Sequence, residues 1–281
     1  MKALKSISLW LCGAALITSV ATLSSCKKDK VTDDDFETTA ADIGQAESIS
    51  TDADNMTAQV ARTGTFSHQN SSNSQYDQFH FGSCATVTND SINHILTFDF
   101  GSGCVGADGK TRAGRVIVNY TGAGYFDPGA EWTMNFDSFY VNSRHVEGTR
   151  HVVNNGFNAN NNLTWTITAT NMKVTRTDGS WRTWNSTRTR EMTAGYGDST
   201  WVNDIYVING TANGSNSNGE TVDCILTNIQ REMSCHWITS GTLTITPSSK
   251  PARTIDFGNG SCDDQATVTK NGITRTITLR P

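Results

Sequence analysis

Charge and proline are both scarce in this sequence. Only 17% of the 281 residues are Asp, Glu, Lys or Arg, and only four are proline; a typical soluble domain has about 25% charged residues. The net charge of −5 excludes a nucleic-acid-binding protein that depends on overall positive charge. An apolar fraction of 36% is enough to close a core at this length, which argues against a charged, disordered chain.

The linear motifs of common catalytic and metal sites are missing as well. The sequence has no His-Glu-x-x-His, no Gly-x-Ser-x-Gly, no phosphate-binding loop and no Cys-x-x-Cys pair. We therefore predict no metal, no cofactor and no enzyme activity. One alternative stays open: a glycoside-acting hydrolase whose carboxylates meet only in the folded chain, drawn from Asp99, Glu131, Asp137 and Asp256. For Asp99 and Asp256 we expect a structural role, in which the carboxylate accepts backbone N–H groups of a turn.

Neutral polar residues supply the polarity that charge does not. The chain has 40 Thr and 24 Asn, together with 24 Gly, a composition that favours strands and turns over helices. From residue 63 onward the apolar residues alternate with period two, for example at 76–81, 85–88, 95–98, 163–168 and 242–246. Asp-Gly and Asn-Gly pairs separate these segments, as in antiparallel hairpins. We predict a single all-β domain over 63–281, either an antiparallel β-sandwich or one long twisted antiparallel sheet built from repeated hairpins.

The first 25 residues have the organisation of a secretory signal. Lys2 and Lys5 precede the apolar stretch Leu9–Leu23, which is short for a membrane span. The stretch ends in Leu23-Ser24-Ser25-Cys26, which resembles the lipobox of bacterial lipoproteins. The resemblance implies cleavage before Cys26 and lipidation of that residue, so that the membrane is a partner through the lipid anchor. The alternative is an ordinary secretory signal followed by a chance cysteine.

The segment after Cys26 is acidic and resembles lipoproteins of the Bacteroidota. Lys27-Lys28-Asp29-Lys30 is followed by the run Asp33–Glu37, and the stretch from Val31 to Ala61 contains eight acids and no bases. In that group such a run implies an outer-membrane, lipid-anchored protein exposed at the cell surface, although the periplasmic face and a plain solvated spacer remain alternatives. We predict that 26–62 is an acidic tether, partly disordered, with one or two short helices where Phe36, Ala40 and Ile43, and then Met56 and Val60, have helical spacing.

An internal repeat places the cysteines. Phe98–Cys104 reads Phe-Asp-Phe-Gly-Ser-Gly-Cys, and Ile255–Cys262 reads Ile-Asp-Phe-Gly-Asn-Gly-Ser-Cys. Another cysteine precedes each copy, so the repeat suggests the disulfides Cys84–Cys104 and Cys235–Cys262. Cys224 is left over as a buried thiol on the same strand face as its apolar neighbours, with a Cys224–Cys235 bridge as the alternative.

The segment Ser180–Arg190 alternates strictly and suggests a ligand patch. Arg182, Trp184, Arg188 and Arg190 fall on one face, and a β-bulge near 170–171 would bring the side chains of Lys173 and three neighbouring threonines to the same face. An indole stacks on sugars, and guanidinium groups bind carboxylates or sulfates. The alternative is a solvated sheet face.

Taken together, the sequence resembles an uncharacterised all-β surface lipoprotein family of the Bacteroidota. The resemblance implies a location and no activity. We expect a binding or structural module whose ligand is a glycan or an envelope protein, and no nucleic acid. Besides the hydrolase, a third alternative is an ice-binding or adhesin-like surface of Thr-x-Thr rows, which we expect the arginines to interrupt.

Overall fold

The computed structural model describes residues 52–54, 56–58, 60, 84–106, 108–121, 124–197 and 202–279, all within one compact unit that spans 33–281. Residues 52–54, 56–58 and 60 are helical and are called α1. The described chain also contains fourteen strands. They are β1 Thr86–Asp90, β2 Ile95–Asp99, β3 Cys104–Val105, β4 Thr111–Tyr120, β5 Glu131–Val141, β6 Arg144–Phe157, β7 Leu163–Thr175, β8 Trp181–Ala194, β9 Ile205–Asn216, β10 Thr221–Glu232, β11 Ile238–Pro247, β12 Arg253–Asn259, β13 Gln265–Lys270 and β14 Ile273–Thr278.

The strands form one antiparallel sheet in which sequence neighbours pair. The order is β1-β2-β4 and then every strand in turn to β14, with β3 pairing beside β4. The predicted all-β antiparallel fold is confirmed, and of its two variants the single long sheet is right and the sandwich is wrong. The predicted strand at 76–81, the signal peptide and Cys26 lie outside the described residues.

Asx-Gly turns join several of the hairpins because they tolerate positive φ. Gly179, Gly219 and Gly272 have φ of 83°, 79° and 76° in the turns that lead into β8, β10 and β14. Asn155-Gly156 has turn composition, yet it lies inside β6, at a register shift between Asn154 and Gly156. The chain reverses later, at 158–162, where Asn158 and Asn162 close the loop through a 2.9 Å backbone hydrogen bond. A bulge uses the same residue types as a turn, which is why the sequence does not separate the two.

One face of the sheet, called the inner face, is buried. Phe98, Trp132 and Trp165 lie on it, and across the second half of the sheet Leu243 and Ile255 continue it. The opposite face, called the outer face, carries mainly threonine and polar side chains. This alternation of buried and solvated positions is what period two in the sequence predicts.

Helix α1 packs on the inner face and is part of the core. Ala53, Met56 and Val60 are buried in the same cluster as Trp165 and Phe139. The predicted helix is confirmed at Met56 and Val60, whereas the helical spacing of Phe36, Ala40 and Ile43 lies outside the described residues. The β domain does not stand apart from the acidic segment, however, because the segment supplies core residues to the sheet.

Each of the two repeated Asp-Phe-Gly elements ends in a cysteine that is bonded to the cysteine preceding that element, as predicted. Cys84 bonds to Cys104 and Cys235 bonds to Cys262. The alternative Cys224–Cys235 bridge is wrong. Cys224 is in neither disulfide and is half-buried rather than buried, on the inner-face side of β10 with Leu226.

Candidate functional site

Charged residues of opposite sign are segregated between the two faces of the sheet. The strands contain nine carboxylates, and the pairing register places all of them on the outer face. They are Asp90, Asp99, Glu131, Asp137, Glu147, Glu191, Asp223, Glu232 and Asp256. Of the twelve strand lysines and arginines, ten point to the inner face. They are Arg112, Arg144, Arg150, Arg182, Arg188, Arg190, Arg231, Arg253, Lys270 and Arg275. Only Arg115 and Lys173 are on the outer face.

The predicted ligand patch is divided by this arrangement. The bulge is confirmed, since the β7–β8 register shifts between Ala169 and Met172. Its effect on the faces was predicted wrongly: Arg190 lies opposite Trp165 and Arg188 opposite Ile167, so these arginines share the apolar face. The β7 threonines and Lys173 lie on the outer face.

The arginines of the patch are also less accessible than a solvated sheet face requires. Arg188 is 6% exposed and Arg190 8% exposed, whereas Arg182 and Trp184, nearer the start of β8, are half-buried. Trp184 packs against the core cluster. Lys173 forms an ion pair with Glu147, 3.3 Å away. Whether the inner-face part of the patch binds a ligand stays a prediction.

Arg112 on β4 joins the sheet to α1. Its Nε and Nη2 donate to the two carboxylate oxygens of Asp52, each at 2.6 Å, and its Nη1 and Nη2 donate to Asp108 at 3.1 and 2.6 Å. Lys110 Nζ lies 3.3 Å from Asp52. Burial disfavours the charged guanidinium, but the hydrogen bonds to both carboxylates outweigh it and raise the pKa of Arg112 above its usual range. The pair is therefore a buried bidentate salt bridge.

Arg150 on β6 makes a second contact with the helix. Its Nη2 forms a short ion pair with Asp54, and its Nε lies 3.4 Å from the other carboxylate oxygen. Both side chains are almost completely buried. Asp52 and Asp54, two residues apart on α1, thus bind arginines of two different strands.

Arg190 on β8 lies among aromatic rings. Its guanidinium carbon is 4.7 Å from the ring centre of Trp165 and 5.2 Å from that of Tyr206, and Nη2 donates to the Tyr125 hydroxyl at 2.8 Å. Burial disfavours the charge, but Tyr125, Tyr206 and the nearby Asp54 carboxylate raise the pKa of Arg190 above its usual range. Cation–π contacts strengthen when the cation is desolvated in this way.

Of the four carboxylates considered for a hydrolase, the sheet brings two together, because Asp99 and Asp137 both lie opposite Arg115 on the outer face. Asp99 and Asp256 accept the backbone N–H of Gly101 and Gly258, at 2.8 and 2.9 Å, which confirms their predicted role in turns. Asp137 forms an exposed ion pair with Arg115 at 2.5 Å. Glu131 lies six residues from Asp137 on β5, about 20 Å along an extended strand. Asp99 and Asp137 already bind a backbone N–H group and Arg115, and a hydrolytic role for any of the four carboxylates stays a prediction.

The outer face carries a row of paired positions across ten adjacent strands, and eight of these positions are threonine. The paired positions are Thr133, His151, Thr168, Thr187, Thr211, Ile225, Thr244, Thr254, Thr269 and Thr274. The expectation that arginines interrupt the Thr-x-Thr rows is wrong, because the β8 arginines lie on the other face. Directly opposed threonines stabilise neighbouring strands, which accounts for the row without a ligand.

Comparison with protein-family models, with curated proteins and with solved structures finds no match for the chain. Within the described ranges no cluster of His, Cys, Asp and Glu could hold a metal ion. Nor does that part of the chain contain a helix long and apolar enough to cross a membrane.

Sequence reasoning missed Arg112 and Arg150, the two arginines that hold α1. The sequence contained one weak signal, which is the alternation of apolar positions along β6. Arg150 stands two positions before Val152 and four after Val146, on the apolar parity of its strand apart from the intervening Gly148. A basic residue at a strand position whose alternate neighbours are apolar is expected to be buried, and a buried charge needs a partner. The acidic segment was the available source of carboxylates.

Proposed function

We propose that the chain is a lipid-anchored cell-surface binding module whose ligand surface is the inner face of the sheet and whose ligands are acidic glycans. The observation that carries the proposal is the pair of contacts from Asp52 to Arg112 and from Asp54 to Arg150. The inner face binds carboxylates of its own chain, so its geometry suits carboxylate groups in general. Attachment through Cys26 rests on the lipobox resemblance.

The acidic segment then acts as an internal competitor for the same surface. It supplies eight carboxylates and no base between Val31 and Ala61, while the strands present ten cations and no carboxylate on that face. Alternate residues of a strand are about 7 Å apart and neighbouring strands about 4.8 Å apart. A polyuronate carries one carboxylate per sugar. When α1 has moved aside, such a polymer can therefore contact several arginines simultaneously.

The experiment compares binding of polygalacturonate by the full mature chain and by its Asp52→Asn/Asp54→Asn variant, using isothermal titration calorimetry at several salt concentrations. The variant loses both carboxylates that compete for Arg112 and Arg150. We expect it to bind about tenfold more tightly than the wild type, a change of about 1.4 kcal/mol, with affinity that falls as salt is added.

Asp137→Asn is the matched control, because it removes an aspartate from an exposed outer-face pair with Arg115. It should leave polygalacturonate binding unchanged. Far-UV circular dichroism checks that the sheet is intact in each variant. If neither the wild type nor the double variant shows salt-sensitive binding, the proposal fails.

A further inference from the structure

Strand β14 is the last strand of the sheet and has one open side. In the described part of the chain it pairs only with β13, and the pairing runs from Gln265↔Thr278 to Lys270↔Ile273 without a register shift. The first four residues of β14 are exposed, and Ile273 is 48% exposed. Its sequence, Ile-Thr-Arg-Thr-Ile-Thr, is β-branched apart from one arginine. The strand therefore favours β structure and has neither the proline nor the bulge that protects many edge strands.

The hydrogen bonds to β13 show which backbone groups of β14 face outward. The N–H of Leu279, just after β14, donates to the carbonyl oxygen of Asp264 at 2.7 Å, so the backbone groups of Leu279 point toward β13. Successive residues of a strand direct these groups to alternate sides. The N–H and C=O groups of Thr274, Thr276 and Thr278 therefore point away from β13. Such a row of backbone donors and acceptors is a template for another strand.

We propose that β14 is a dimerisation edge, which pairs with β14 of a second copy of this chain. A twofold axis perpendicular to the sheet makes the two strands antiparallel and joins each face of one sheet to the same face of the other. Directly opposed residues share a face, and a shift of one residue would reverse every side chain. The outward-facing threonines, which are the even-numbered residues of β14, must therefore oppose one another.

Backbone hydrogen bonding favours one of the remaining registers. If Thr276 lies on the twofold axis, it opposes its own copy, and Thr274 and Thr278 oppose each other on both sides of the axis. All three outward-facing residues of each strand are then paired, and each pair exchanges two N–H···O bonds. A register centred on residue 274 leaves Thr278 beyond the paired segment.

Charge and apolar contact favour the same register. An axis at Arg275 would place two arginines directly opposite each other, and like charges destabilise such a pair. When the axis is at Thr276, Arg275 opposes Ile277 instead. In that register Ile273 opposes Leu279, so the most exposed apolar side chain of the strand gains an apolar neighbour.

The interface is small and goes beyond the proposed function. It comprises residues 273–279 of each chain, which is at the low end of specific interfaces, so we expect a dimer that dissociates on dilution. It uses neither the contacts of Arg112 and Arg150 nor an acidic ligand.

Sedimentation velocity of the full mature chain over a range of concentrations tests the interface. We expect a reversible monomer–dimer equilibrium for the wild type. Thr276→Pro removes the outward-facing N–H at the twofold axis and leaves the hydrogen bonds to β13 intact, so it should raise the dissociation constant of the dimer about tenfold or more. Thr276→Val is the matched control, because it keeps the N–H and the β-branched side chain, and it should dimerise like the wild type.

A charge-complementation experiment tests the register. Thr276→Lys and Thr276→Glu each place like charges opposite each other, so each variant alone should dimerise more weakly than the wild type. An equal mixture should dimerise more tightly than either variant alone, because lysine then opposes glutamate. Thr276 is exposed, and far-UV circular dichroism checks that the sheet is intact in each variant. The inference is overturned if the wild type stays monomeric at every concentration, if Thr276→Pro dimerises as well as the wild type, or if the mixture gains nothing over the separate variants.

Discussion

Arg112 and Asp52 lie 60 positions apart in the sequence and form two hydrogen bonds of 2.6 Å, with both side chains almost fully buried. The pair fixes an acidic helix to a strand near the start of a fourteen-stranded sheet. Because Asp108 bonds to the same guanidinium from the turn before β4, Arg112 is bound by carboxylates on two sides.

The first prediction concerns the stability of this contact. Asp52→Asn leaves Arg112 buried with only one carboxylate, and loss of one partner of a buried ion pair typically costs about 3–5 kcal/mol. We expect a loss toward the lower end, because Asp108 remains. Asp137→Asn breaks an exposed pair and should cost less than about 1 kcal/mol. Urea unfolding of both variants measures the difference, and equal losses would show that α1 is not held by this pair.

A second prediction concerns the arginines of β8. If β8 presented Arg188 on a solvated sheet face, alanine at that position would leave the thermal midpoint nearly unchanged, because a solvated side chain contributes little. The structure reverses this expectation. Arg190 contacts three aromatic residues and Arg188 is buried, so Arg188→Ala and Arg190→Ala should each lower the midpoint by several degrees, about 2–4 °C per kcal/mol lost. Arg182→Ala, at a half-buried position, should change it less; the same small change for all three variants would contradict the burial.

The third prediction concerns the titration of Glu191. The side-chain amides of Asn162 and Asn158 donate to Glu191 Oε1 at 2.7 and 2.9 Å and hold the pKa of this carboxyl below its ordinary value of 4.5. The stabilising contribution is therefore present above that value and is lost as the pH falls through the folded pKa. Carboxyl ¹³C NMR should give a midpoint below 4.5, and Asn162→Ala should raise it. A wild-type midpoint at or above the ordinary value would mean that the two asparagines do not bind the ionised form.

A fourth prediction concerns attachment to the membrane. If Cys26 carries the lipids, Cys26→Ala should abolish incorporation of labelled fatty acid and release the protein into the soluble fraction, because acyl chains are then the only anchor. The wild type after a high-salt wash is the comparison. A Cys26→Ala protein that still sediments with membranes would refute the lipid anchor.

The fold class and both disulfides could be predicted because each follows from local or repeated signals. Period-two alternation specifies strands, Asp-Gly and Asn-Gly pairs specify reversals, and two similar elements each end in a cysteine. Gly156 shows the limit of such signals, since an Asn-Gly pair within β6 is a bulge and not a turn. The residue types of bulges and turns are the same, and only the pairing of the whole strand distinguishes them.

The face of the β8 arginines could not be predicted for a related reason. A bulge shifts the in-and-out alternation of one strand relative to the next. The sequence located the bulge at 170–171, but it did not show whether the arginines or the threonines of β8 share a face with the apolar residues of β7. Assigning arginine to the solvated face was the simpler assumption, because Arg is rarely buried without a partner. The partners of Arg190 are the rings of Trp165 and Tyr206 on the adjacent strands, together with the Tyr125 hydroxyl and the nearby Asp54 carboxylate, and the last two are far away in the sequence.

Arginine side-chain NMR tests the central claim most directly, namely that the inner face is a carboxylate-binding surface shared by the acidic helix and by external ligands. The Nε–Hε signals of Arg112 and Arg150 are followed while oligogalacturonate is added to the Asp52→Asn/Asp54→Asn variant, with Arg115 on the outer face as internal reference. The account predicts saturable shifts at Arg112 and Arg150 and none at Arg115. Shifts at Arg115 alone, or no shift at any of the three, would contradict it.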